Sequence, residues 1–281
     1  MPRLSLSTWS IHRALGPMYA PSHDGHLTPN TPDIGAVKLL DVPQMTAAQG
    51  VHALEICHFH FPSTEASYLR ALWDALDTAG VELFSILIDA GDLTHVDAHQ
   101  READLSWIRS WLDVASRLGA THARVIAGQT EIGPVPVADL SDHPVIRISA
   151  DGLRALAAFG RERGVRVITE NFHPLTNRPE NILAILDLCN GAVGLCTDFG
   201  NFRGPTKYDA LAAILPHADS VHAKTNFDAD GAMETEDFRR CLNLSKAAAF
   251  DGPYSLIYEG TGEEWAGVAA IREVVKGYLE G

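Results

Sequence analysis

Basic residues are scarce in this chain. It has 22 lysines and arginines against 36 aspartates and glutamates, a formal net charge of -14 at pH 7 over 281 residues. A surface of that sign repels phosphate backbones, so nucleic acid is not an expected partner. A small anion held in a local positive pocket stays possible. Cysteine is scarce too: Cys57, Cys189, Cys196 and Cys241 form no CxxC pair. A disulfide framework is not expected in a chain this long, and a reducing cytoplasm is the simplest compartment. Cys57 and Cys196 sit in apolar runs and read as small buried hydrophobes. Long apolar runs are missing. No stretch reaches the roughly 18 residues of a membrane span, and MPRLSLSTWS at the start carries no apolar leader segment. These absences together predict a soluble cytoplasmic protein with no membrane partner.

What is present is a large core and a regular alternation. Hydrophobic residues make up 46% of the chain, enough for one sizeable domain, and barrels of about 250 residues are routinely single domains. Eight β-rich runs recur: RLSLST, HALEIC, ELFSILI, THARVI, VRVITE, VGLCTD, SVHAK and YSLIYE. Several are almost continuously apolar, as parallel strands covered on both faces must be. Between them lie helix-period segments. EASYLRALWDALDTAG sets Leu69, Leu72, Trp73 and Leu76 on one face and stops at Gly80. READLSWIRSWLDVASRLG, DGLRALAAFGRERG, PENILAILDLCNG, KYDALAAILPH and EEWAGVAAIREVVKGYL behave alike. The alternation predicts an α/β fold, a (β/α)8 TIM barrel forming a single domain over residues 1–281; an open doubly wound sheet is the alternative. Trp9 to about Ala36 form a long Pro/Gly/His-rich loop after the first strand, which on a barrel lies over the active-site face.

The last four β runs carry a pattern. VRVITE ends on Glu170, VGLCTD on Asp198 and YSLIYE on Glu259, while SVHAK holds His222 and Lys224. Their spacing is about one strand–helix unit each, and a parallel barrel gathers equivalent strand ends on one rim. A lone Glu at a strand end is usually an ion-pair partner or helix cap, and a lone His a satisfied core residue. Four in consecutive slots are different: three carboxylates and an imidazole at one point repel unless a cation sits among them. Oxygen-rich ligation with one nitrogen suits Mn²⁺ or Mg²⁺, with Co²⁺, Fe²⁺ or Zn²⁺ possible.

The run ENFHPLTNRPENILAILDLCNGAVGLCTDFGNF, then VHAK, then YEG, resembles the sugar phosphate isomerase/epimerase superfamily. This is the xylose isomerase-like TIM barrel group, with ketose 3-epimerases, inosose dehydratases, hydroxypyruvate isomerases and endonuclease IV. The resemblance implies one divalent cation, Mn²⁺ first, in the slots of Glu170, Asp198, His222 and Glu259. It implies a metal-dependent isomerase or epimerase acting on a sugar, sugar phosphate or related hydroxy-carbonyl compound through an enediolate. Glu170 and Glu259 would be the acid/base pair. A dehydratase of the inosose or dehydroshikimate type is the alternative, since it begins with the same proton abstraction. DNA repair is disfavoured by the charge, and a non-catalytic scaffold by the intact ligand slots.

Two departures bear on substrate. Ketose 3-epimerases place a histidine three residues after the metal aspartate, where this chain has Asn201, and an arginine six after the metal histidine, where it has Asp228. Further substrate-contact candidates are Glu55, His58, His173, Lys224 and His12, with His60 beside them. Lys224 shares the face of His222; it would neutralise a substrate oxyanion, or in the ordinary reading pair with Glu259 or Glu55. His23, His26, His95 and His99 read as solvated loop residues. The expected partner is a carbohydrate-like small molecule, and the resembled family makes a homo-oligomer possible.

Overall fold

The computed structural model describes residues 2–21, 27–31, 35–228 and 231–279. Eight parallel strands close into a barrel: β1 (Arg3–Ser7), β2 (Ala53–Cys57), β3 (Glu82–Ile88), β4 (His122–Val125), β5 (Arg166–Glu170), β6 (Gly194–Asp198), β7 (Ala218–Lys224) and β8 (Pro253–Ile257). Each pairs with its sequence neighbour, and β1 closes on β8 with Leu4 opposite Tyr254 and Leu6 opposite Leu256. The expected (β/α)8 barrel is therefore the observed fold, and the open sheet is not.

Alternation along each strand separates two environments. Leu6, Leu54, Ile86, Val125, Val167, Leu195, Val221 and Leu256 are buried in the hydrophobic core. That layer joins the barrel wall to surrounding helices, among them Ala66–Ala79, Ala98–Leu118 and Pro179–Cys189. The residues between them in sequence are often polar yet equally buried: Ser5, Ser7, Glu55, Ser85, Arg124, Ser220 and Ser255. Buried polar groups usually have partners, yet among the described residues the hydroxyls of Ser5, Ser220 and Ser255 have none.

The boundaries differ from expectation at informative places. β8 ends at Ile257, so Glu259 lies in the loop beyond it. The helix before β5 runs Pro144–Arg161, two turns earlier than DGLRALAAFGRERG suggests, with Pro144 in its first turn and His143 capping the Val145 N–H. A helix at Thr235–Ala247 stands between β7 and β8, burying Phe238, Cys241, Leu242 and Ser245. Trp73, assigned to an apolar face, is 37% exposed, with the Arg70 guanidinium over its ring.

The segment after β1 is not plain loop. It makes a 3-10 turn (Thr8–Ile11), a short helix (His12–Leu15) and an antiparallel hairpin of Tyr19–Pro21 with Leu27–Pro29. His23 and His26 lie outside the described residues. His95 is half-buried and His99 exposed. Among the described residues, no helix is long and apolar enough to cross a membrane.

One packing contact gives a stability prediction. A Cβ at Gly160 would stand 2.6 Å from the Val165 carbonyl oxygen, a backbone atom that cannot step aside. Gly160→Ala should destabilise by about 1–3 kcal/mol in chemical denaturation, although alanine is the better helix former. An unchanged midpoint would show that the helix and β5 can separate freely.

Candidate active site

At the C-terminal ends of the strands lies a cavity of about 430 Å³, with Trp9, Phe59 and Phe172 in its wall and Glu170, Asp198 and His222 at its base. A larger hollow, about 870 Å³, lies at the N-terminal ends of the strands by Arg154, Arg161 and Arg166. It gathers no acid–base or metal-competent set, and we place the site in the smaller one.

The centre of the site is His222, 4% exposed. Its Nε2 is 3.0 Å from Glu55 Oε2, and its Nδ1 is 3.3 Å from Glu170 Oε1 and 3.6 Å from Asp198 Oδ2. Strand register explains the meeting, because Asp198 sits directly opposite His222 across β6 and β7. Burial disfavours an imidazolium, but the acidic groups around the ring (Cys196, Glu170, Glu55 and Asp198) raise its pKa well above the usual histidine range. Asp198 is fixed from three sides. Its backbone N–H donates to Asn171 Oδ1 at 2.7 Å, its carbonyl accepts from Asn171 Nδ2 at 2.9 Å, and its Oδ1 accepts from the Gly200 N–H at 2.6 Å. Burial alone would raise the Asp198 pKa; His222, Lys224 and the Gly200 N–H hold it below the ordinary value. Gly200 is needed for space, since a Cβ there would come 2.8 Å from the Lys224 side chain.

Glu170 is held on both oxygens. Arg124 Nε lies 2.9 Å from Oε2, and Asn201 Nδ2 donates to Oε1 at 3.2 Å. Arg124 also pairs tightly with Asp89, the residue after β3. Glu259 stands apart from this cluster. Lys224 Nζ is 2.7 Å from its Oε2, and the Trp9 indole N–H donates to its Oε1 at 2.8 Å. The ordinary reading of Lys224, an ion pair with Glu259, is the observed contact. Burial would lower the Lys224 pKa, but Asp198, Glu259 and Glu170 raise it.

The other candidates divide. Glu55 and Asn201 touch His222 and Glu170, and His173 lines the cavity. His12 does not join them: its ring stacks on Trp9, with centroids 4.4 Å apart, and its Nδ1 bonds the Trp9 carbonyl at 2.7 Å. His58 packs on Trp107 and Trp111 and accepts the Asp89 N–H at 3.2 Å, so it supports Asp89 from behind. Burial lowers its pKa to about 4. His60 bonds Thr8 Oγ1 at 2.8 Å, and burial lowers its pKa to about 3. Asp228 closes a turn by accepting the Ala232 N–H at 2.9 Å. Four residues at the site escaped the sequence reading: Trp9, Asp89, Arg124 and Cys196. Asp89 follows the apolar run ELFSILI as directly as Asp198 ends its own, and Arg124 interrupts THARVI, so the strand-end pattern extended to all eight strands would have found both.

A family model described as xylose isomerase-like TIM barrel matches residues 43–276. The chain belongs to that family. Solved structures of the same fold include a xylose isomerase-like TIM barrel protein from Mycobacterium smegmatis in complex with magnesium. It is 20% identical over 99% of this chain and 97% of that one, with a TM-score of 0.67. An L-ribulose 3-epimerase is 15% identical, covering 100% and 95%, with a TM-score of 0.71. The probable 3-DHS dehydratase AsbF of Bacillus anthracis is 16% identical over 98% of each chain, with a TM-score of 0.68. No curated protein matches the sequence.

Of the four expected ligands, Glu170 and His222 belong, with Cys196, to the group of metal-competent side chains whose ligand atoms all lie within 4.8 Å of one another among the described residues, and Asp198 reaches His222 alone. Ligand atoms around one small ion stand about 3–3.5 Å apart, and Nδ1 of His222 is 3.3 and 3.6 Å from the Glu170 and Asp198 oxygens. Glu55 on Nε2 supplies the carboxylate behind the ring that metal-binding histidines use. Glu259 is occupied by Lys224 and Trp9 instead.

His173 adds a strained element. Its backbone takes φ 73 and ψ 167, a region that belongs almost entirely to glycine. The strain holds an imidazole at the cavity wall, with Nε2 buried and lacking a hydrogen bond among the described residues. His173→Gly should exceed His173→Ala in stability by about 1 kcal/mol or more in urea denaturation. Equal stability would mean that the backbone there is not strained.

Proposed function

We propose that this chain is a divalent-metal-dependent isomerase or epimerase acting on a sugar or a related hydroxy-carbonyl compound. The observation that carries this reading is His222 set between carboxylates, Glu55 on one nitrogen and Glu170 with Asp198 on the other. Glu170, Asp198 and His222 are the residues that would hold the ion, with Mn²⁺ or Mg²⁺ suited to the oxygen donors. A bound divalent cation there supplies Lewis acidity toward a carbonyl and its neighbouring hydroxyl.

The chain's own groups do the rest. Glu259 takes the proton from the carbon beside the carbonyl, with Lys224 and Trp9 fixing its two oxygens. Glu170 delivers a proton from the other side, its Oε1 steadied by Asn201. Arg124 keeps Glu170 aimed, and Asp89 keeps Arg124 in place. Trp9, Phe59 and Phe172 exclude water from the reacting carbons.

A lyase reading shares the first proton abstraction, and one observation favours it. The Lys224 ammonium beside Glu259 is placed to protonate a leaving hydroxyl, which makes a dehydratase the alternative. Family membership and neighbours that include both 3-epimerases and a dehydratase support a sugar-modifying enzyme in either case.

Incubation of metal-loaded protein in D₂O with ketose and cyclitol-ketone panels, followed by NMR, should show C–H exchange next to a carbonyl. Glu259→Gln should slow that exchange by about 10²–10⁴-fold while keeping the metal; Glu170→Gln should lose both. Loss of a hydroxyl with the exchange would select the dehydratase. Exchange at the wild-type rate in Glu259→Gln would remove Glu259 from proton transfer.

A further inference from the structure

We propose that the thiol of Cys196 is an additional donor to the ion at this site, reaching it from the barrel interior and turning its preference from Mg²⁺ toward sulfur-tolerant ions such as Zn²⁺, Co²⁺ and Cd²⁺. The proposal rests on the metal reading above. Cys196 lies two residues before Asp198 on β6, so both side chains take the same face of the strand. It also sits directly opposite Glu170 across β5 and β6. The ligand atoms of Glu170, Cys196 and His222 all lie within 4.8 Å of one another, and all three residues are buried. Cys196 is a free thiol with no solvent exposure.

Two further observations describe the donors around this floor. Glu55 Oε1, fully buried on the other side of His222, has no hydrogen-bond partner among the described residues. Glu259, which the family pattern makes the last ligand, is committed to Lys224 and Trp9. The floor thus has spare acceptors, and the donor set has room for another member. Metal–sulfur bonds near 2.3 Å and metal–nitrogen or –oxygen bonds near 2.1 Å put tetrahedral ligands about 3.3–3.7 Å apart. A limit of 4.8 Å leaves at most about 1.5 Å to close, within the reach of side-chain rotations. On binding, the S–H bond breaks, its proton leaves to solvent and the sulfur lone pair forms the bond to the ion. Carboxylates and an imidazole alone favour hard ions; adding sulfur moves the set toward borderline and soft ones.

The test uses the whole chain, stripped with chelator and titrated with Cd²⁺ and, separately, Mg²⁺. Cd²⁺ should raise a sulfur-to-metal charge-transfer absorption at one equivalent. Cys196→Ser and Cys196→Ala should lose that absorption and bind Cd²⁺ about tenfold or more weakly, with Mg²⁺ affinity changed by less than about threefold. Circular dichroism establishes that both variants are folded. Cys57→Ser, at a cysteine that lines the cavity, should keep the absorption. Cd²⁺ binding without the absorption, or absorption that survives in both Cys196 variants, would overturn the sulfur proposal. The metal reading would survive that result if Asp198→Ala still abolished Cd²⁺ binding. Failure of the wild type to bind either ion would overturn both.

Discussion

Carboxylates withdrawn from water need compensating charge, and that need organises one end of this barrel. Glu55, Asp89, Glu170 and Asp198 approach one another in a space closed to solvent on most sides. Removing one partner of a buried ion pair costs about 3–5 kcal/mol, because the remaining charge is stranded. The structure meets the demand in layers. Arg124 spans Asp89 and Glu170, His222 stands among Glu55, Glu170 and Asp198, and Lys224 takes Glu259 near the mouth. In the metal reading the ion takes the place of a proton on the Nδ1 side of His222, where Glu170 and Asp198 converge.

The fold makes this concentration possible. Parallel strands in a closed barrel present their C-terminal ends on a single rim, and a two-residue period puts alternate side chains inside. Register then decides who meets whom: Asp198 faces His222, and Glu170 faces Cys196. Asn171 ties the backbone of Asp198 to the end of β5, so Glu170 and Asp198 are held relative to each other by main-chain geometry. The hydrophobic layer between barrel and helices carries the stability, which frees the interior to hold serines, carboxylates and a histidine.

Much of this was legible in the sequence. The eight strands, the helix stops and the strand-end carboxylates Glu170 and Asp198 follow from hydrophobic period and from where each run breaks. Glu259 shows where such reading runs out. YSLIYE looks like one strand ending on a carboxylate, but the ladder ends at Ile257, and the side chain's place is set by Lys224 and Trp9 from distant parts of the chain. Cys196 looked like a small apolar residue because thiols usually are, and only the register across β5 and β6 puts it beside Glu170. The helix Thr235–Ala247 was hidden by polar composition, although Phe238, Cys241, Leu242 and Ser245 keep helical spacing. His12 and His58 were credible by type and position, yet each is committed to a neighbour outside the reacting space. His173 was a stronger candidate than either because it follows Glu170, but its strain exists only in the backbone and cannot be read from the sequence.

Metal content of the purified protein and of Asp198→Ala, after incubation with each divalent ion in turn, tests the central claim most directly. About one ion per chain in the wild type, lost in Asp198→Ala with the fold intact, is the result this account requires. A wild type that takes up no ion under any of these conditions would contradict it. The cluster around His222 would then be a network of ion pairs and hydrogen bonds that holds the barrel mouth together.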